Sequence, residues 1–271
     1  MTTAKLGIST YAYFWQHSDL VPAPLDAFAM LDDVARLGAD VFQICDYAPI
    51  ESFSDEQLDA LKARADALGV TIELGTRGVT PEHLARYLSL AGALGATVVR
   101  SMVNTATHRP TEAEAEAEAL LRQALPAYEA AGVVIALETY EQVPTSVNLA
   151  LVERIDSPSL GICLDPGNTV AALESPADVV ARCAPRTLNL HVKDFAFSRR
   201  DGWVGFTFAG TPLGEGLLDY DAMRAAVDPA GRGITQVIEH WLPWQGDPET
   251  TVQLERQWTQ HNLEYLRSKN S

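Results

Sequence analysis

Four residues with metal-binding side chains stand at the ends of short apolar segments in the second half of the chain. They are Glu138, Asp165, His191 and Glu239. At any one such position, helix capping or core packing explains the residue equally well. Three carboxylates brought together without a cation would repel one another, however, and a divalent ion removes that repulsion. Three carboxylates and one imidazole make a mainly oxygen site, so we predict one bound divalent ion, Mn²⁺ before Mg²⁺, Co²⁺ or Zn²⁺.

The segments that would position these ligands belong to a regular alternation of strand and helix patterns. Short β-rich runs, mostly apolar throughout, alternate with longer segments of helical period, as in βαβ units around a parallel sheet. Eight candidate strands occupy residues 6–9, 41–46, 71–74, 97–102, 133–138, 160–164, 187–192 and 235–240. Eight βα units within 271 residues fit a closed barrel better than an open doubly wound sheet. We predict the α/β class and a single (β/α)8 TIM barrel, one catalytic domain over residues 1–271, with its site at the C-terminal strand ends.

Helix boundaries are marked in the segments between these strands. Serine or threonine caps, with capping-box spacing or followed by proline, mark four helix starts. These starts are Ser54, Thr80, Thr111 and Ser175. Gly38, Gly69 and Gly95 each stand between a helical pattern and the next strand, as a C-terminal stop does. The repeating order is helix and then strand, which supports the barrel.

The composition limits the possible partners. Hydrophobic residues make up 47% of the chain, and 36 acidic residues against 20 basic ones give a net charge of -16. Such a chain can bury a large core, and its charge opposes binding to nucleic acid or to an anionic membrane surface. The N-terminus lacks signal-peptide features and no apolar run approaches the length of a membrane span, so we expect a cytoplasmic protein. The cysteines show no CxxC spacing and are interpreted as buried apolar residues: Cys45, Cys163 and Cys183.

Short motifs around the candidate ligands resemble those of a known superfamily. The chain reads Leu-Glu at 137–138, Cys-Leu-Asp-Pro-Gly-Asn at 163–168, His-Val-Lys-Asp at 191–194 and Ile-Glu at 238–239. Over essentially its whole length it resembles the xylose-isomerase-like sugar phosphate isomerase/epimerase superfamily. The resemblance implies that ligands from strands five to eight hold one divalent ion, and that Glu138 and Glu239 are the catalytic acid/base pair. The segments 212–216 and 219–220 likewise resemble the family's loop after strand seven.

Asn168 departs from the pattern of the family's ketose epimerases, which commonly have a histidine three residues after the aspartate. An asparagine can hydrogen-bond a sugar hydroxyl, but it cannot carry a proton near neutral pH. Helix capping is its alternative role. Membership of the superfamily does not depend on this residue, whereas epimerase chemistry does.

Six residues near the strand ends are predicted to contact the substrate. They are Tyr11, Trp15, Arg100, Glu141, Asn168 and Lys193. Side chains two apart on a strand face the same side, so Lys193 points toward the site as His191 does and can steady an enolate or contact an anionic group. Arg100 ends strand four and Arg77 follows strand three, and either guanidinium suits a carboxylate or a phosphate. Structural ion pairs and loop packing remain open for these side chains.

The predicted reaction is proton transfer on a small-molecule sugar or polyol ketone. The metal would hold substrate oxygens and stabilise the enediolate that forms when a proton next to the carbonyl is removed. This makes the protein a metal-dependent sugar or keto-sugar isomerase or epimerase. The same site could expel a leaving group β to the carbonyl, so a dehydratase or lyase is the main alternative. An abasic-site endonuclease would need more histidines and a cationic face, and a non-catalytic sugar-binding barrel would show no proton exchange.

The connection after strand seven, residues 194–218, is long for a barrel and has no obvious secondary structure in its sequence. Connections of this length are often lids or binding elements. Its aromatic residues Trp203, Phe206 and Phe208 can exclude water or pack against a second subunit of a homo-oligomer. We predict that this segment covers the substrate.

Overall fold

Eight parallel strands close into a barrel in the computed structural model of the protein, which describes residues 4–103 and 110–270. The described residues form ten strands, of which all but β8 and β9 belong to the barrel. They are β1 (Leu6–Ser9), β2 (Val41–Cys45), β3 (Thr71–Gly75), β4 (Val98–Ser101), β5 (Val134–Glu138), β6 (Leu160–Leu164), β7 (Thr187–Val192), β8 (Asp194–Arg199), β9 (Phe206–Thr211) and β10 (Gln236–Ile238). The barrel runs in chain order from β1 to β7 and then β10, which pairs with β1 to close the ring. The predicted TIM barrel is confirmed, and no predicted strand end differs from the observed one by more than two residues.

Helices connect the strands and pack against their neighbours around the barrel. They are α1 (Ala27–Arg36), α2 (Asp55–Leu68), α3 (Pro81–Leu94), α4 (Pro110–Ala131), α5 (Thr145–Ile155), α6 (Pro166–Thr169), α7 (Pro176–Cys183), α8 (Tyr220–Val227), α9 (Pro229–Arg232) and α10 (Pro248–Asn270). None of the helices in the described part of the chain combines the length and the apolar composition that crossing a membrane requires.

Three of the four predicted helix starts are cap residues in the structure, although Thr80 and Ser175 make no side-chain capping bond. Ser54 begins α2 with a complete capping box, because its hydroxyl accepts from the Gln57 N–H and the Gln57 side chain accepts from the Ser54 N–H. Gly69 and Gly95 end α2 and α3 with left-handed φ angles of 70° and 69°. The helix α4 begins at Pro110, one residue before the predicted start, and the side chain of Thr111 lies outside the described residues.

The barrel encloses a polar centre inside an apolar shell. Leucine, isoleucine and valine side chains form the buried layer between the sheet and the helices. Inside the ring, Gln43 on β2, Glu73 on β3 and Asn189 on β7 are buried and polar. Buried polar groups of this kind need hydrogen-bond partners, which they find in one another. The cysteines are free and buried, as predicted: Cys45, Cys163 and Cys183.

The predicted absence of secondary structure after strand seven is wrong. Residues 194–211 form an antiparallel hairpin of β8 and β9. The Phe208 ring packs against Phe195 and Trp241, with ring centroids 5.4 and 5.6 Å apart, and these contacts attach the base of the hairpin to the barrel. Trp203, near the tip, is 77% exposed. The sequence did not reveal the hairpin, because apolar and polar residues alternate over only a few positions in each of its two strands.

Asp194 folds the glycine-rich segment that follows the hairpin. Its carboxylate accepts hydrogen bonds from the backbone N–H groups of Gly214, Gly216 and Leu218, at 2.9 to 3.0 Å. A Cβ at Gly216 would collide with that carboxylate, so the close approach requires glycine. The segment 212–218 is therefore a fixed turn.

Candidate metal centre and active site

The four predicted ligands lie together at one end of the barrel. Glu138 is the last residue of β5 and His191 is on β7, whereas Asp165 and Glu239 directly follow β6 and β10. One potential ligand atom from each residue lies within 4.8 Å of the others. None of the four is more than 2% exposed. The C-terminal strand ends thus gather three carboxylates and one imidazole in a buried space.

The donor atoms of this cluster face one another without filling their hydrogen-bonding capacity. His191 Nδ1 is 3.3 Å from Glu138 Oε1, 3.4 Å from Glu239 Oε1 and 3.9 Å from Asp165 Oδ2. His191 Nδ1 and Glu239 Oε1 are buried and have no hydrogen-bond partner among the described residues. A buried polar atom without a partner costs about 1–3 kcal/mol. A divalent ion held by this imidazole and these carboxylates would satisfy both atoms, so the residues fit the predicted metal.

A hydrogen bond at the other ring nitrogen determines which nitrogen of His191 faces the cluster. Its Nε2 is 2.9 Å from Gln43 Oε1. The Gln43 amide nitrogen donates to Glu73 at 3.2 Å and to Asn189 at 3.0 Å, so the amide oxygen is the atom that faces the histidine. Because an amide oxygen only accepts, Nε2 carries a proton, and Nδ1 is the nitrogen that faces the cluster. This network was not predicted, although polar residues inside otherwise apolar strands were a visible signal for it.

Two buried cations neutralise part of the carboxylate charge. Lys193 Nζ lies 2.8 Å from Asp165 Oδ2 and 3.2 Å from Glu239 Oε2. Arg100 forms an ion pair with Glu138 Oε2. Burial by itself raises the pKa of Glu138, but Arg100 and its neighbouring cations outweigh burial and lower that pKa to about 2. Burial raises the pKa of Asp165 in spite of the Lys193 charge beside it.

Asn168 is in contact with one of the candidate ligands. Its side-chain N–H₂ donates to Glu138 Oε1 at 2.9 Å and to the Thr139 carbonyl at 3.2 Å. The residue that caps α6 is Asp165, whose carboxylate accepts from the backbone N–H groups of Gly167 and Asn168. The helix-capping alternative for Asn168 is therefore wrong.

A cavity of about 310 Å³ opens above the cluster. It is lined by Tyr11, Arg77, Arg100, Met102, Glu138, Tyr140, Glu141, Gln142, Asn168, Lys193, Glu239 and Trp241. Five of the six predicted substrate-contacting residues are among them, together with Arg77. A larger cavity of about 1090 Å³ lies outside the barrel between α1 and α10 and contains none of these side chains.

Trp15, also predicted to contact the substrate, does not line the smaller cavity. Its indole Nε1 donates to the Leu242 carbonyl at 2.7 Å, and its ring packs edge-on against Trp244. It thus ties the connection after β1 to the connection after β10. Residues 194–218, all of them described, contribute nothing to the cavity lining either, so covering of the substrate by this segment stays a prediction.

Comparison with known proteins identifies the family of this barrel. The family model of the xylose isomerase-like TIM barrel matches residues 31–269. The chain belongs to this family. The sequence is also 55% identical over 265 residues to 3-oxo-isoapionate decarboxylase of Pectobacterium atrosepticum, an alignment that covers 98% of this chain and 96% of that protein.

Solved structures agree with this family assignment at the level of the fold. D-psicose 3-epimerase from Clostridium cellulolyticum, with D-tagatose, superposes with a TM-score of 0.76 at 17% identity, covering 97% of this chain and 98% of the other. A xylose isomerase-like TIM barrel protein from Mycobacterium smegmatis in complex with magnesium superposes with a TM-score of 0.71 at 17% identity, covering 99% and 98%.

The cluster predicts that a divalent ion stabilises the folded protein. Adding Mn²⁺ to metal-free protein should raise its melting temperature, because an ion that binds only the folded state stabilises it by about 2.7 kcal/mol at 100 times its dissociation constant. His191→Ala should remove this shift and the bound metal found by elemental analysis. The matched control is His261→Ala, since His261 on α10 bonds the Leu213 carbonyl instead. An equal shift in His191→Ala would place the ion elsewhere.

Gln43 should control metal affinity without being a ligand. Gln43→Leu removes the acceptor that orients His191, and loss of such a partner typically weakens metal binding roughly 10- to 100-fold. It should also cost about 1–3 kcal/mol of stability, because Glu73 and Asn189 lose a partner. The Mn²⁺ dissociation constant is therefore measured well below the melting temperature, with the surface variant Gln260→Leu as control. Unchanged affinity would show that His191 is oriented by something else.

Proposed function

We propose that the protein is a metal-dependent decarboxylase of 3-oxo-isoapionate or a closely similar 3-oxo acid. The observation that carries the proposal is 55% identity, along 98% of the chain, to a 3-oxo-isoapionate decarboxylase. The isomerase or epimerase expected from the sequence stays a prediction. This relative supports the dehydratase or lyase alternative better than it supports an isomerase or epimerase.

Decarboxylation of a 3-oxo acid moves electrons from the carboxylate to the ketone. The bond between the carboxyl carbon and carbon 2 breaks, carbon dioxide leaves, and the electron pair is shared between carbon 2 and the ketone oxygen as an enolate. A divalent ion held by Glu138, Asp165, His191 and Glu239 would stabilise the negative charge on that oxygen. The enolate then takes up one proton at carbon 2 to give the neutral ketone product.

The contacts of Glu138 fit this reaction better than they fit proton abstraction. Arg100 is ion-paired with its Oε2, and Asn168 donates to its Oε1 at 2.9 Å. Oε2 is therefore in an ion pair and Oε1 accepts a hydrogen bond, so neither oxygen is free of protein contacts. Epimerisation by two bases needs a free carboxylate on each face of the substrate, whereas loss of carbon dioxide needs no base at the carbon.

We assign the return of the proton to Lys193. Its ammonium group lines the cavity and lies 4.1 Å from the centroid of the Trp241 ring. Asp165 and Glu239 accept two of its three N–H bonds, which leaves the third for the substrate. The positive charge also stabilises the enolate. In this assignment Glu239 positions the lysine and is not one of a pair of bases.

The reaction can be tested directly. Protein loaded with Mn²⁺ should release carbon dioxide from 3-oxo-isoapionate, and in D₂O each product molecule should carry one deuterium at the carbon that lost the carboxylate. The chelator-treated protein measures the spontaneous loss, which is subtracted. Deuterium in recovered substrate without carbon dioxide release would contradict decarboxylation and support the isomerase or epimerase.

Replacing Lys193 should stop turnover while leaving the metal in place. In Lys193→Met, kcat should fall by about a hundred- to ten-thousand-fold, the usual contribution of a general acid, because no ammonium group remains to protonate the enolate. Mn²⁺ should still bind, since Lys193 is not in the ligand set. Lys62→Met is the control, because Lys62 also pairs with an aspartate but lies on the outer face of α2. Wild-type kcat in Lys193→Met would remove Lys193 from the mechanism.

A further inference from the structure

The ends of the first four strands build a cationic wall opposite the carboxylate cluster. Tyr11, Asp46 and Arg77 follow β1, β2 and β3, and Arg100 lies on β4. A single oxygen of Asp46, Oδ2, is 2.8 Å from the Tyr11 hydroxyl, 2.9 Å from Arg77 Nε and 3.1 Å from an Arg100 guanidinium nitrogen. This one acceptor fixes the direction of all three side chains.

Two of the three cations lining the cavity within the described residues are already committed. Arg100 is 2% exposed and is held by Glu138, by Asp46 and by the Thr76 carbonyl. Lys193 is 3% exposed and is held by Asp165 and Glu239, two of the four candidate metal ligands. Arg100 cannot turn to a ligand without breaking buried ion pairs, which is costly. Lys193 can offer a ligand only the N–H that Asp165 and Glu239 leave over.

Of the three cations that line the cavity, Arg77 is the exposed one. Its Nε bonds Asp46 at 2.9 Å and its Nη2 donates to the Tyr11 hydroxyl at 2.6 Å. Its Nη1 has no partner among residues 4–103 and 110–270, and the side chain is 57% exposed at the mouth of the cavity. The guanidinium is therefore held by Asp46 and Tyr11, and its remaining nitrogen is left for a ligand at the lining of the cavity.

We infer that Arg77 binds the carboxylate of the substrate, an inference that rests on the proposed decarboxylation of a 3-oxo acid. A guanidinium and a carboxylate form a strong charge-assisted hydrogen bond. With the carboxylate at Arg77, the ketone oxygen points to the opposite wall, where Glu138 and Glu239 lie. The leaving carbon dioxide is then at the open end of the cavity. Arg77 thus selects a keto acid over the neutral sugars of similar size.

This placement has a kinetic signature. The carboxylate loses its negative charge as the bond to carbon 2 breaks, so Arg77 holds the bound substrate at least as strongly as it holds the transition state. An interaction of that kind lowers KM without raising kcat. Removing Arg77 should therefore raise KM for the acid and leave kcat unchanged or higher. Removing Arg77 should not weaken binding of the neutral ketone product, because that product has no carboxylate.

The experiment compares Arg77→Met and Arg77→Lys with Arg64→Met in the Mn²⁺-loaded protein. Arg64 is the matched control, because it also pairs with an aspartate through Nε but lies outside the site on α2. In Arg77→Met, KM for 3-oxo-isoapionate should rise roughly tenfold to a hundredfold, the usual effect of losing a hydrogen bond between charged groups. The inhibition constant of the ketone product and the Mn²⁺ dissociation constant should not change. Arg64→Met should match the wild type throughout.

An unchanged KM in Arg77→Met would overturn the inference, and so would an equal rise in KM and in the product inhibition constant. If Arg77→Met does not fold, Arg77→Lys decides, because a lysine keeps the positive charge but lacks the rigid fork of donors that holds Asp46 and Tyr11 and leaves one nitrogen for the substrate. The lysine variant should show a smaller rise in KM with unchanged product inhibition, and a wild-type KM would overturn the inference. Failure of the proposed function is recognised separately, because the wild type itself would then release no carbon dioxide.

Discussion

Three carboxylates and a histidine share a buried space less than 5 Å across, and the structure around them serves to make that crowding possible. Like charges in a low-dielectric interior repel strongly unless cations or donors compensate them. Arg100 compensates Glu138 from one side, and Lys193 compensates Asp165 and Glu239 from the other. The atoms that point into the middle of the cluster, among them His191 Nδ1 and Glu239 Oε1, have no hydrogen-bond partner among the described residues. A divalent ion is the species that fits there.

The inside of the barrel is organised to support this cluster. An apolar interior would be cheaper to bury, yet Gln43, Glu73 and Asn189 fill it with a chain of hydrogen bonds. That chain ends on His191 Nε2 and so directs Nδ1 to the carboxylates. A buried glutamate without a cation partner is expensive, and burial raises the pKa of Glu73 although Gln43 and Asn189 donate to it. This buried hydrogen-bond network fixes the orientation of the His191 imidazole.

The same barrel and the same ligand types suit more than one reaction, and the surrounding donors decide between them. Glu138 has one oxygen in an ion pair with Arg100 and the other in a hydrogen bond with Asn168. Asn168 supplies one of those donors at the position where a histidine would carry protons. On the opposite wall, Asp46 holds Arg77 and Arg100 together. Together with Lys193, these side chains are the ones on which the proposed decarboxylation of an acidic substrate rests.

The sequence by itself determined the barrel, three of the four proposed helix starts and the four candidate ligands, because each follows from local order. Apolar runs, a capping box at Ser54 and stop glycines are read within a few residues, and successive parallel strands must bring their C-terminal ends to one face. The tertiary structure alone decided which side chains meet across the barrel. Gln43 and His191 are 148 positions apart and touch because of the register and closure of the strands. The same geometry turned Trp15 toward Leu242 and left Arg77 facing the cavity, since no local pattern encodes the direction of a loop side chain.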